Sequence, residues 1–579
     1  MTEQASVNNV YQIRGEKMNL EEISKTETWE LYEKGVNFLR QHSVFSDTDL
    51  NYRMYEGDQW EGAILGGIEK AQYNFIETIV NYKVSTINSN LWAMNFSSEN
   101  FENRELLQAA DKVCKMLNKK AANVWEKDQL DYKIREISDD SAINDEGVMY
   151  VTYDEDNQNP VNEVINKTNV FYGNEMSSDI QSQPYIIISQ RMPVNQAQDL
   201  AKSYGVSEEK IKYILGDNYT FEEAGEDSKI EVNDMCTILT KMWKEKGTIW
   251  YNKSTKYVEL TDNKDTELKL YPIAHFIWKE KKGWSRGEGE VRTLIPNQLE
   301  LNKTLARTLL VVKNCAYPQK AVNIEKILNP DAINQVGGTI KVKGGATVDD
   351  VSKVFNYVQP TTMSTDVSKV MTDLKDITRE LKNAGEIATG GINPEQASGK
   401  AILAVQQASQ QPLVKQMTGL KKFIEDLARI WMEMWTVYTP DGMQLEEDTK
   451  DMETGEEYIQ LVQVPGSLLE SLKTRVKVDI TPKGAFDRYA RELSLENYLK
   501  QGFFNAQRVN ELKYYAEALP DDSVAPKQEL LKICEKIEEE QAKIATIDSQ
   551  AQLMQQRANE FINATPQDQA TQILENSTA

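Results

Sequence analysis

Ser398-Gly399-Lys400, behind the glycine-rich run Ala388-Thr389-Gly390-Gly391, is the stretch that most invites a chemical reading. A Gly-rich loop before a lysine can cradle phosphates with its backbone N–H groups. The required spacing is missing. A Walker-type loop needs glycine five residues before its Gly-Lys, where Pro394 stands, and a hydroxyl residue after the lysine, where Ala401 stands. Lys400 therefore reads as a solvated residue near a helix start. The pair Gly287-Glu288-Gly289-Glu290 is too short a signal to specify a ligand. Asp154 to Asn159, DEDNQN, is similar to a calcium loop, but Asn159 takes its glycine position and Ile165 its terminal glutamate position. A turn between strands fits better.

Nucleophilic and metal chemistry find little to work with. His42 and His275 are the only histidines, and Cys114, Cys236, Cys315 and Cys534 are widely separated with no CxxC pair. That pattern argues against a disulfide framework, a thiolate zinc site and a His-based triad. No carboxylate pair stands out as acid and base. Neither a cofactor nor a metal site is expected, and the chain reads as a non-enzyme. The stretch Met54-Tyr55-Glu56-Gly57-Asp58-Gln59-Trp60 is expected to be a structural turn. Gly57 would take the unusual backbone angle, Asp58 would bond local amides and Trp60 would plug a core.

The elements that carry these residues come in a definite order. With 579 residues the chain exceeds what one core serves, so two or more units are expected. Ninety acidic against 66 basic residues give a net charge of −24, which removes any bulk attraction for nucleic acid or an anionic membrane. The start, MTEQASVNNV, lacks a signal pattern and no apolar run is long enough to span a bilayer, so a soluble, cytosol-made protein is expected. Apolar spacing predicts helices at 28–45, 73–92, 105–127 and 128–144. The period then switches to two: VMYVTYD at 148–154, PYIIISQRM at 184–192, and DMCTILTKMWK, GTIWYN and KYVELT at 234–261, the last three as a meander. Long helices follow at 285–314, with Leu294, Leu301, Leu305, Leu309 and Val312 in step, and at 364–386, with a seam of Val367, Val370, Met371, Leu374, Ile377 and Leu381. Between them Gly337-Gly338 and Gly344-Gly345 bracket the expected strand TIKVK. Asn393-Pro394-Glu395-Gln396 opens a helix expected to run to about 437, kinked at Pro412. Strands are expected within 456–481, notably RVKVDI. The fold class is α+β, predominantly helical.

This order resembles the portal protein of tailed bacteriophages. The resemblance covers roughly residues 30–520. RMYEGDQW is similar to a turn common near portal N-termini. GVMYVTYD and PYIIISQRMPVNQAQDLAKSYG resemble wing strands, and WSRGEGEVRTLIPNQLELNKTLARTLLVVKNCAYP the segment leading into the first stem helix. VGGTIKVKGG resembles the clip, INPEQASGKAILAVQQASQQPLVKQMTGLKKFIEDLARIWMEMW the long helix after the tunnel loop, and RVKVDITPKGAFDRYARELSLENYLKQGFF the return towards the crown.

The resemblance implies a ring-forming subunit, dodecameric in the capsid. Its wing would span 1–283, first stem helix 284–314, clip 315–360 and second stem helix 361–386. Tunnel loop and long kinked helix would span 387–438, wing return elements 439–520, and crown and tail 521–579. The ring would sit in the virion at the portal vertex, after synthesis in the bacterial host cytoplasm. It would pass double-stranded DNA during packaging and ejection without reading sequence. Its expected partners are copies of itself, the terminase packaging motor, the head-tail adaptor, and the major capsid and scaffolding proteins; no membrane is implied. Lys375, Arg379 and Lys382 share a helical face and, with Lys303 and Arg307, would supply sparse positive charge to the channel. Thr389, Gly390, Gly391 and Asn393 would form the tunnel loop. Gly337, Gly338, Lys341, Lys343, Gly344 and Gly345 would belong to the clip that meets motor or adaptor. Two rivals stand beside this reading: a non-viral helical scaffold that binds proteins without DNA, and a metal-dependent hydrolase with an unrecognised carboxylate site.

Overall fold

The structure is a computed structural model. It describes residues 12–13, 16–17, 24–63, 69–98, 104–217, 235–316, 320–335, 339–343, 355–357, 365–382, 411–450, 457–473, 476–479, 483–484, 494–501, 509–519, 529–534, 536–537 and 555. The chain divides into two compact units, residues 1–88 with 92–481, and residues 89–91 with 482–579. In the second unit, strands Asn90–Leu91 and Lys483–Gly484 pair, and Val509–Ala518 is helical.

After a short hairpin, Gln12–Ile13 with Glu16–Lys17, the first unit has two helices where one was expected over 28–45. Helix α1 (Glu27–Gln41) is capped by Thr26, whose hydroxyl accepts from the Trp29 amide, and α2 (Val44–Glu56) follows after a break at Ser43, held at φ 58°. Trp29, Tyr32, Val36 and Leu39 repeat at three- and four-residue steps. That row packs on Phe171, Ile187 and Leu239 of a five-stranded antiparallel sheet. The sheet runs in order Val170–Tyr172, Tyr185–Pro193, Met235–Glu245, Thr248–Ser254, Lys264–Asp265. KYVELT is not its next strand. Only Glu259 bridges, to Ser254, because Thr255 turns back on Val258 and sends Val258 and Leu260 into a small core with Ala197, Ala201 and Ile211.

The main core gathers helices α3 (Phe75–Asn88), α4 (Arg104–Lys127) and α5 (Leu130–Ile143) around the three-stranded sheet Ile273–Ile277, Glu146–Asp154, Asn159–Ile165. Asp154 ends one strand, and its carboxylate accepts from the amides of Asp156 and Asn157, so DEDNQN is a hairpin turn as expected. Helices α6 (Val194–Ser203) and α7 (Glu208–Ile211) flank the larger sheet, and α8 (Val291–Ala316) and α9 (Thr365–Leu381) follow. Helix α10 (Val414–Tyr438) then buries Leu420, Phe423, Ile424, Leu427, Trp431 and Trp435 in the core. Each such side chain contributes roughly 1.5–3 kcal/mol by leaving water. Pro412 lies in a 3₁₀ turn, Gln411–Leu413, immediately before α10, where its missing N–H costs nothing to the helix. Residues 394–410, the first half of the helix expected there, lie outside the described residues.

Strands expected within 456–481 are present as Glu457–Val464 and Val476–Asp479, the core of RVKVDI, but their partners Met443–Lys450 and Asn95–Ser98 went unanticipated. Nor is TIKVK a regular strand. The paired strands of that excursion are Lys320–Val322 and Phe355–Tyr357, and Val342 makes one bridge, to Ile327.

Candidate nucleic-acid interface

Helices α8 and α9 run antiparallel. Asn297 Nδ2 donates to Thr378 Oγ1 at 3.0 Å, and Lys382 just past α9 reaches Glu290 just before α8 at 2.9 Å. Helix α8 buries Leu294, Leu301 and Leu305, as its spacing predicted. Residues 312–316 are exposed, Val312 by 56 %. On α9, Met371 and Leu374 pack on the main core and Thr378 is buried. Three other residues of the expected seam turn outward: Val370 is 58 %, Ile377 54 % and Leu381 74 % exposed, and the Val367 side chain lies outside the described residues. Positions 370, 377 and 381 fall on one helical stripe, an exposed apolar face.

The five expected channel cations part into three groups. Lys303 and Arg307 are exposed one turn apart on α8, and both approach the Glu300 carboxylate, at 3.9 and 3.8 Å. Such exposed pairs hold a side chain weakly. Lys375 is exposed on α9, and Arg379 is half-buried one turn on. Lys382 is not brought with them onto an open face. Its ammonium bonds to Glu290 and to Thr293 Oγ1, tying the end of α9 to the start of α8. Of the clip residues, Lys341 and Lys343 are exposed, and Gly337, Gly338, Gly344 and Gly345 lie outside the described residues. Thr389, Gly390, Gly391 and Asn393 also lie outside them.

Two anchors seat α8, and the long-range contacts that make them were missed in the sequence. The first is the segment Trp284–Glu290, expected to be the start of the helix. The α-helix begins only at Val291, and Arg286 is fully buried among Glu146, Glu175 and the carbonyls of Lys167 and Val170. The alternating glycines are what allow it. A Cβ on Gly289 would lie 2.0 Å from the Asn144 carbonyl oxygen, and one on Gly287 2.4 Å from Ile277 Cγ2. Glu290, which follows them, accepts from Trp278 Nε1 and pairs with Lys83 at 2.8 Å as well as with Lys382. Gly-Glu-Gly-Glu ahead of a helix was the available signal, read as too short to use.

The second anchor answers the turn at 54–60. Gly57 takes φ 96° and Trp60 is buried, its Nε1 donating to the Ala71 carbonyl, as expected. Asp58 does not take the amide-bonding role; its own N–H donates to Arg53 O, and Gln59 does the work. Gln59 Nε2 donates to Met54 O and Asn74 Oδ1, and its Oε1 accepts from Asn302 at 2.6 Å. Gln298 then donates to Asn302 Oδ1 and Tyr73 O, and accepts from the Phe75 amide. A chain of buried amides thus runs from the turn to α8. Gln59→Leu leaves Asn302 and Asn74 short of partners, and is expected to cost about 1–3 kcal/mol, read as a lower denaturant midpoint. An unchanged midpoint would mean the relay is replaced by water.

The exposed apolar stripe of α9 is a surface suited to packing against protein, which is the chemistry of a structural subunit. The family model for Phage P22-like portal protein matches residues 40–578, and the chain belongs to that family. Among curated proteins, none matches it closely enough to count as a relative. Portal proteins are non-enzymatic channel proteins of the phage capsid vertex, working as ring oligomers in DNA packaging, and that is this protein's function. Among the described residues, no helix is long and apolar enough to cross a membrane.

Proposed function

We propose that α8 and α9 are the stem of a dodecameric ring, with Lys303, Arg307, Lys375 and Arg379 toward the DNA and Lys382 serving as an anchor instead. The observation that carries this reading is the stripe of Val370, Ile377 and Leu381, which is exposed while Met371 and Leu374 of the same helix are partly buried against the main core. A head-to-tail neighbour would cover it, and such contacts close into rings. Residues 1–283 and 439–520 supply the wing facing the major capsid and scaffolding proteins, and 521–579 the crown. Residues 315–360, with Lys341 and Lys343 exposed, supply the clip that meets the terminase motor and later the head-tail adaptor. Residues 387–394 supply the tunnel loop.

The charge balance suits passage without grip. A net charge of −24 per chain repels phosphate, and affinity through counterion release scales with the cations placed at the duplex. Contacts to the backbone carry no sequence preference. Lys375→Glu with Arg379→Glu should leave rings intact in electron micrographs and lower packaged DNA by about tenfold or more. Loss of rings in that variant would place the two residues at the subunit interface and overturn the channel assignment.

A further inference from the structure

The short ribbon formed by residues 326–328 and 341–343 carries an arrangement that its own stability does not explain. Ile327 bridges Val342 in antiparallel fashion, with Lys343 N donating to Lys326 O at 2.9 Å and Leu328 N to Lys341 O at 2.8 Å. Asn329 secures it, its Oδ1 accepting from Lys341 N and its Nδ2 donating to Thr339 O. Side chains alternate across a pleat, so Ile327 and Val342 share one face, where Ile327 is buried. Leu328, Lys341 and Lys343, all exposed, take the other face, and Lys326, exposed as well, ends the 3₁₀ turn Ile324–Lys326 at its edge. The Lys326 carbonyl accepts from Lys343 N, which sets two like charges side by side. None of the three lysines has an ion-pair partner among the described residues. In a chain of net charge −24, a compact cationic face at this position is a local reversal.

Leu328, 57 % exposed, sits within that face, and Ile324, 67 % exposed, lies one short turn before it. A phosphate backbone offers such side chains nothing to bury against. An acidic protein segment with an apolar side chain of its own satisfies both features: carboxylates meet the lysines and the apolar anchor covers Leu328. We propose that this ribbon face docks an acidic, apolar-anchored segment of a partner protein. The proposal rests on reading residues 315–360 as the clip, and adds the chemistry by which that partner is chosen.

The test uses the full chain and three fluorescent probes: a short peptide alternating Glu and Leu, a poly-glutamate peptide of equal charge, and a short DNA duplex. The Glu/Leu peptide should bind at least about tenfold tighter than the other two. Lys326→Ser with Lys343→Ser should weaken it about tenfold, and Leu328→Ser by a similar factor. Because the lysine changes relieve repulsion at exposed sites, their unfolding midpoint should not fall. Tightest binding of the duplex, sensitive to the lysines but not to Leu328, would make the face a phosphate contact and overturn the proposal. Equal binding of poly-glutamate, or no peptide binding, would overturn it too. Electron micrographs of the same samples separate the two readings: rings that ignore the peptide refute only the docking face, whereas absence of rings refutes the stem assignment.

Discussion

Arg286→Met is expected to destabilise the protein by about 3–5 kcal/mol, the range for removing one partner of a buried ion pair. Arg286 and Glu146 are both wholly enclosed, and their 2.7 Å contact is one of several that the guanidinium makes. It also donates to Lys167 O at 3.0 Å and Val170 O at 2.7 Å, and stacks 5.0 Å from the centre of the Tyr172 ring. Methionine fills similar space but leaves Glu146 without a counter-charge, so that its carboxyl, already pushed up by burial, takes up a proton; it also strips the Arg286 donors from Val170 O and from Lys167 O, which keeps only the Val170 amide. Arg286→Lys should recover little, since one ammonium cannot reproduce the planar fork. Removing both charges, as Glu146→Leu with Arg286→Met, should recover part of the loss, because the stranded carboxylate is then gone. Denaturant titration of each variant checks this, and a loss below about 1 kcal/mol for Arg286→Met would mean that water reaches the site. The consequence for function follows from sequence position: Arg286 lies five residues before α8 and fixes where that helix starts.

Glu290→Gln is the second large effect. Burial pushes the Glu290 carboxyl up, but Lys83 and Lys382 together outweigh it and hold it at about 2, against an ordinary 4.5. The folded value lies below the unfolded one. The contribution is therefore complete above about pH 4.5 and is lost as the pH falls toward 2. Lys83 pulls the other way, since its own burial lowers its pKa by more than Glu290 raises it. The carboxylate shift alone corresponds to about 3 kcal/mol, and the strain on Lys83 reduces the net to on the order of 2 kcal/mol. Glutamine cannot neutralise the buried Lys83 and half-buried Lys382 ammonium groups, so the variant should lose that amount at neutral pH and flatten the acid limb of the stability curve. An unchanged acid limb would show that other carboxylates govern it. Native-state hydrogen exchange offers a more local reading: the last turn of α9, which Lys382 ties down, should exchange faster in Glu290→Gln while the amides of α5 do not.

The sequence carried the class of elements well where a single periodicity ran for three turns or more. Helices α4, α5 and α9 fall close to their expected ranges, as do the strands at 146–154, 185–193 and 235–245. It failed where a local signal competes with distant packing. KYVELT has strand composition, yet Val258 and Leu260 find a better burial against α6 and α7 than a ladder position provides. The turn at 54–60 was recognisable from Gly57 and Trp60, which act within a few residues. Gln59 was not, because its partner Asn302 lies 243 positions away.

The same division separates what was fixed by residue order from what was not. The absence of histidine and cysteine clusters argued against an enzyme and the acidic balance against bulk binding of nucleic acid, while the portal reading came from the resemblance of the ordered stretches to that family. Only the tertiary structure decided which charges are spent inside the molecule. Lys382 looked like a third channel cation because helical spacing places it with Lys375 and Arg379. Glu290, brought beside it by the antiparallel α8–α9 packing, takes it inward instead. Spacing along one helix reports which side chains share a face; what that face meets depends on segments far away in the chain, and a charge goes to the counter-charge that is both nearest and least solvated.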